Sequence, residues 1–228
     1  MSDSQAVQVS KAEWALASTQ RSHIYGGFSA LFAKEVSDES FQAYFANGRF
    51  IPFAGLEELG LEGELQRLNA AIEALRQEPL ARLELAADFA QLFLLDAQTG
   101  ALPYASAYAG ESSNAPLYSD AQAKMCQILS AHGLSVESGF REPADHLAVL
   151  LSLLAHVAQG RADVGDVRSA ALEQSTLLGV GILDWLPRFV DRCQKASPSF
   201  DVYPALASLL LAFARADQLF LNDIADTA

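Results

Sequence analysis

Cysteine is almost missing from this chain. Only Cys126 and Cys193 occur among 228 residues, far apart and without a neighbouring histidine cluster. A disulfide framework and a zinc motif are thereby excluded, and a reducing, cytoplasmic setting fits. Basic residues are also scarce: 15 Lys and Arg stand against 28 Asp and Glu, a formal charge of -13. So acidic a surface repels phosphate backbones, and nucleic acid is not an expected partner. Basic partners would be steered in at low salt, although the same charge serves solubility alone. No hydrophobic run is long. The longest, Leu147 to Ala158, contains Ser152 and His156 and is too short to cross a bilayer. The opening Met1-Ser2-Asp3-Ser4-Gln5 lacks the basic and apolar regions of an export signal. The expectation is a soluble cytoplasmic protein without stable membrane insertion.

Other chemistry is missing as well. There is no Gly-rich phosphate loop and no Ser or Cys in a nucleophile motif. The histidines at 23, 132, 146 and 156 make no short metal-ligand spacing. The order Asp145-His146 reverses the His-Asp order of a common helical family of metal-dependent phosphohydrolases. A non-enzyme with no cofactor and no metal is expected, and a helical metal-dependent hydrolase is the distant rival.

What is present is helical periodicity and a core. Hydrophobic residues make up 51% of the chain, enough for one substantial core. Leu61, Leu65, Leu68, Ile72 and Leu75 recur at spacings of four and three, placing them on one helix face. No alternating run with tight Gly turns predicts a sheet. The chain reads as all-α, one domain of about eight to ten helices, with residues 1–10 flexible. Helices are expected over Lys11 to Lys34, Ser37 to Phe45, Leu56 to Glu78, Pro79 to Asp96 and Tyr118 to Ala131. Others should run from Pro143 to near Gly160, Asp163 to Leu178, Leu183 to Lys195 and Pro204 to Leu221. Turn formers fill 97–117, and Gly133 and Gly139 fall in a break at 132–142 that could act as a hinge.

Three segments stand apart. In Glu142-Pro143-Ala144-Asp145-His146, Pro143 suits a first helical position and Asp145 then lies in the first turn, where its charge suits the helix dipole. Structural capping explains Asp145 without any function, but Glu142 is not a favoured cap residue. Phe89-Ala90-Gln91-Leu92-Phe93 has helical spacing, for which core packing is the default. Pro103-Tyr104-Ala105-Ser106-Ala107-Tyr108 lies in a loop, where aromatics can form a groove for an apolar partner. Trp185-Leu186-Pro187-Arg188-Phe189 reads as core, with Phe200 and Tyr203 following.

Taken in order, these segments resemble the TorD/DmsD family of redox-enzyme maturation chaperones. Tyr25, Gly26, Leu31 and Phe32 also look like that family's opening, and the likeness covers about residues 20 to 220. Where some members carry an aromatic just after the position of Phe32, this chain has Ala33. The resemblance implies a cytoplasmic chaperone that binds the twin-arginine signal peptide, and often the body, of a molybdopterin oxidoreductase until its cofactor is inserted. It also implies a monomer or a domain-swapped dimer. Guanine-nucleotide binding is attributed to some members, but no phosphate motif stands here. On this reading Leu92, Phe93, Pro103, Tyr104 and Tyr108 contact the apolar part of the peptide. Glu142 and Asp145 take an arginine, with Pro143 and His146 completing the site and His146 orienting Asp145 or bonding the peptide. A nitrate-reductase type of assembly chaperone, whose client is not exported, is the near alternative.

Overall fold

In the computed structural model the described residues are 9–46, 53, 55–95, 98–109 and 120–226. Among them nine α-helices follow one another: α1 Lys11–Ala33, α2 Asp38–Phe41, α3 Glu62–Arg76, α4 Ala81–Phe93, α5 Asp120–Ala131, α6 Leu147–Gly160, α7 Val167–Leu178, α8 Leu186–Lys195 and α9 Val202–Asp226. No strand occurs among the described residues, so the chain is all-α, and its buried side chains form one continuous core. The flexible start expected over residues 1–10 falls largely on residues 1–8, outside the described residues; Ser10 itself caps α1. Residues 96–97 and 110–119 are likewise outside them, and with them part of the expected 97–117 loop and the first two residues expected of the fifth helix.

Local chemistry sets where the helices begin. Ser10 Oγ accepts the Glu13 N–H and Glu13 returns a carboxylate to the Ser10 N–H, a capping box that opens α1. The helix expected from Leu56 is split. Gly55 and Gly60, at φ 95° and 73°, enclose a single 3-10 turn over Leu56–Leu59, and α3 starts only at Glu62. Pro79 does not open α4. It occupies a turn closed by the Ala81 N–H on the Glu78 carbonyl (3.3 Å), which favours proline at its second position, and α4 begins at Ala81. A π-turn over Gly179–Leu183 precedes α8, in whose first turn Pro187 sits as expected. α9 starts before Pro204 and runs past Leu221.

Two pairings position the rest. α1 lies antiparallel along α6: the Trp14 indole donates to the Arg161 carbonyl (2.8 Å) at one end, and the Ser29 hydroxyl donates to the Ala148 carbonyl (2.8 Å) at the other. α9 packs against α3, α7 and α8. It alone, among the described residues, has the length and hydropathy of a membrane span, yet most of its first half is buried. α1 and α9 are tied by a buried ion pair. Arg21 meets Asp217 through Nε–Oδ1 (2.5 Å) and Nη2–Oδ2 (3.1 Å). The Tyr25 hydroxyl donates to the same carboxylate (2.7 Å), and Arg21 Nη1 reaches Gln174 Oε1 on α7 (2.7 Å). Burial and the neighbouring carboxylate push the Tyr25 hydroxyl well above its ordinary range.

Breaking such a pair strands a buried charge. Asp217→Ala is expected to cost about 3–5 kcal/mol of unfolding free energy, whereas an Arg21→Met, Asp217→Leu double variant costs far less. Urea unfolding of both checks this; equal losses would show that the pair contributes only packing.

Candidate functional site

The site is built where two loops meet at the N-terminus of α6. The Ala105 N–H donates to the Asp145 carbonyl (3.0 Å) and the Leu147 N–H donates to the Pro103 carbonyl (2.7 Å). These two bonds form an isolated antiparallel bridge between Tyr104 and His146. Residues recruited into a bridge cannot be helical. The helix expected to start at Pro143 therefore starts at Leu147, with His146 extended (φ -66°, ψ 139°) as its cap residue. Asp145 accordingly lies outside the helix rather than in its first turn, and Glu142 does not cap it. Pro143 serves the turn that precedes α6, its carbonyl accepting the His146 N–H (3.1 Å).

Asp145 and His146 turn their side chains inward. Asp145 is fully buried, and its Oδ2 accepts the Ser106 N–H (2.9 Å) at the start of the 3-10 turn Ala105–Tyr108. A carboxylate in that position fastens the tyrosine loop to the α6 entry. His146 is 3% exposed, and its Nδ1 accepts the Ala148 N–H (3.0 Å), capping α6. An accepting Nδ1 carries no proton, so the ring is neutral with its proton on Nε2. Burial pushes the imidazole down to about 4, against the opposing pull of Glu142 and Asp145. Its ring is met edge-on by Tyr104 (5.1 Å, 78°) and Phe140 (5.4 Å, 84°).

Beside this junction lies a cavity of about 360 Å³. Phe89, Phe93 and Pro103 supply apolar lining, with Leu94 exposed among them. Tyr104, Glu142 and His146 line it too, and the end of α1 contributes Ala33 with the exposed Lys34 and Glu35. The Tyr104 hydroxyl donates to Glu142 Oε2 (2.5 Å), which fixes the carboxylate in the cavity. Under the floor, Phe93 packs against Phe32, Phe189 and Tyr203 at centroid distances of 5.8, 6.0 and 5.3 Å.

Of the residues expected at the site, Phe93, Pro103, Tyr104, Glu142 and His146 are therefore brought together around one cavity. Leu92 and Tyr108 are not: Leu92 is fully buried, and Tyr108 stacks on Trp185 (5.5 Å, 18°) with the Arg192 guanidinium 5.7 Å from its ring centre. Both were expected to contact an apolar peptide; in this structure they pack in the core and neither lines the cavity. Asp145, expected to take an arginine, is buried in this structure, with Oδ2 on the Ser106 N–H. Sequence reasoning missed Lys34, Glu35 and Leu94; the one signal for the first two was their place at the expected end of the first helix, while Ala33 was noted only as standing where some family members carry an aromatic. It also missed Asp88. That buried carboxylate accepts the N–H groups of Ser199 and Phe200 (both 2.8 Å) and so holds the entry to α9 against α4. Among the described residues, no three of His, Cys, Asp and Glu converge as a metal ion would require.

A sequence model described as the nitrate reductase delta subunit matches residues 57–191. "Chaperone protein TorD" of Psychrobacter sp. (strain PRwf-1) is 36% identical over 217 residues, covering 94% of this chain and 97% of that protein. The protein of the same name from Vibrio cholerae serotype O1 (strain M66-2) is 37% identical over 209 residues, 90% and 93% of the two chains. That from Photobacterium profundum is 37% identical over 210 residues, 89% and 94%. Fold and matches together define an all-α chaperone, not an enzyme. The chain belongs to the TorD family of redox-enzyme maturation chaperones.

The His146 cap carries a pH signature. Above the ordinary imidazole value of 6.5 the ring is neutral folded or unfolded and costs nothing; below it the unfolded chain gains a proton that the folded ring refuses until about 4. Stability is thus present above pH 6.5 and lost as pH falls toward 4. His146→Asn keeps a capping acceptor without titrating there. Chemical denaturation across that window should show the wild type losing about 3 kcal/mol more than the variant. Parallel curves would mean that the ring is not the accepting cap.

Proposed function

We propose that this chain is a cytoplasmic chaperone that binds the twin-arginine signal peptide of a molybdopterin oxidoreductase precursor, and the apoenzyme, before cofactor insertion and export. The observation that carries the reading is the pairing of a fixed carboxylate with an aromatic cavity: Glu142, held by the Tyr104 hydroxyl, beside Phe89, Phe93 and Tyr104. A guanidinium needs just that combination. A carboxylate can accept from several donors at once, so Glu142 can take an arginine while still bonded to Tyr104. The flat cation also gains from aromatic faces in a partly desolvated site. Lys34 and Glu35 on the opposite side add one charge of each sign to the cavity rim, so Glu142 supplies its net negative charge. The formal charge of -13 draws a basic peptide toward the molecule as a whole.

Leu94, 54% exposed, lines the same cavity, and Leu95, 67% exposed, follows it, an apolar surface that suits either a signal peptide or a client body. The family match described as the nitrate reductase delta subunit favours a second reading, in which the client stays in the cytoplasm and is recognised without an export signal.

Calorimetric titration separates the two. Peptides carrying Arg-Arg should bind more tightly than Lys-Lys controls, and more tightly at low salt than at moderate salt. Glu142→Gln should weaken the Arg-Arg peptide about tenfold to a hundredfold, the worth of one charged hydrogen bond, with little change in stability. Equal affinity of Arg-Arg and Lys-Lys peptides would remove the arginine reading and leave the client body as the ligand.

A further inference from the structure

Tyr203, in the first turn of α9, stands behind the cavity floor. Its ring meets Phe89 and Phe93 edge-on, at centroid distances of 5.6 and 5.3 Å, and those two rings line the cavity. The side chain is 1% exposed, yet its hydroxyl has no hydrogen-bond partner. A buried phenol normally has one, because leaving the group unpaired costs its desolvation. Phenylalanine would fill the same space without that cost. Core packing therefore does not account for the hydroxyl, and a bond formed in another state of the protein does.

Two carboxylates act on that hydroxyl. Burial foremost, then the charges of Asp88 and Glu35, hold it above its ordinary range, so it keeps its proton and can donate. Asp88 is already engaged, one oxygen on the Ser199 N–H and the other on the Phe200 N–H. Glu35 is not. It follows the end of α1, is exposed, lines the cavity and stands in no ion pair among the described residues. The cavity thus has two tyrosine–glutamate sets. Tyr104 and Glu142 are bonded to each other, whereas Tyr203 and Glu35 interact only through charge. In the free protein the Lys34 ammonium offsets Glu35 at the rim.

We infer that Tyr203 and Glu35 form a second guanidinium clamp that closes as an arginine pair enters: Glu35 turns inward, accepts the Tyr203 hydroxyl and takes one of the two arginines. The inference rests on the reading of Glu142 as the carboxylate that takes the other. Adjacent arginines bring two planar cations, and one carboxylate cannot hold both bidentately. Drawing Glu35 inward parts it from Lys34 and gives the cavity a second fixed negative charge beside the second cation. The new bond also satisfies a buried donor, which offsets the ordering of a flexible side chain. Tyr203 acts through Glu35 and is a positioning residue.

Four peptides, identical but for Arg-Arg, Arg-Lys, Lys-Arg or Lys-Lys at the pair, are titrated into the full chain. In the wild type each single lysine should weaken binding. Glu35→Gln should weaken the Arg-Arg peptide about fivefold to tenfold and make one position of the pair, and only that one, indifferent to Arg or Lys. Glu142→Gln should do so at the other position. Tyr203→Phe should lose the preference at the Glu35 position, while urea unfolding of the free protein shows no loss of stability, since the hydroxyl removed is one the free protein leaves unpaired. A purely structural hydroxyl would do the reverse, lowering stability and leaving both preferences intact. If Glu35→Gln changes nothing, or weakens all four peptides alike, Glu35 supplies at most general charge; the clamp then fails while the reading of Glu142 stands. The clamp fails too if Tyr203→Phe binds all four as the wild type does. If the wild type does not distinguish Arg-Arg from Lys-Lys, the reading of Glu142 fails first and the clamp with it.

Discussion

The site depends on the short bridge between 103–105 and 145–147. Two backbone hydrogen bonds make it, and two side chains lock it: Asp145 on the Ser106 N–H and His146 on the Ala148 N–H. Buried N–H groups left without partners are costly, and the N-terminus of a helix has several to satisfy. Here Asp145 satisfies the Ala105 and Ser106 N–H groups of the 3-10 turn, while Pro103 and His146 satisfy the Leu147 and Ala148 N–H groups that open α6. These bonds fix Tyr104 and Glu142 on the cavity side. Asp145 and His146 make these bonds from buried positions, and the half-buried Glu142 lines the cavity.

The helical architecture was legible because it rests on local periodicity. Leu68, Ile72 and Leu75, read as one face of a helix, are buried on α3. Boundaries were less legible, since they depend on partners distant in sequence. Nothing near Pro143 indicates that His146 will be drawn into an extended bridge with Tyr104, about 40 positions earlier. Gly60 in the left-handed region, by contrast, was visible as a glycine but not as the break between a 3-10 turn and α3.

Within the site, the gathering of Phe93, Pro103, Tyr104, Glu142 and His146 was legible from the family pattern. Their division into facing and buried groups was not. Tyr104 and Tyr108 are four positions apart in one loop, yet the tight 3-10 turn between them sends Tyr104 to the cavity and Tyr108 under Trp185. The Arg21–Asp217 pair was equally hidden, joining residues 196 positions apart. Such a pair is weak evidence of added stability but strongly fixes which helices adjoin. It secures α1 against α9, and α1 in turn carries Ala33, Lys34 and Glu35 to the cavity rim. Frame and site are thus linked through one helix.

The central claim is that the cavity wall is formed before any peptide arrives. Amide hydrogen exchange of the free protein tests it directly at Ala105, Ser106, Leu147 and Ala148, whose N–H groups make the bridge and its two side-chain locks. The account predicts protection at all four close to that of core amides in α6 and α9, unchanged when peptide is added. Rapid exchange in the free protein, with protection gained only on binding, would contradict it and show that the ligand builds the site.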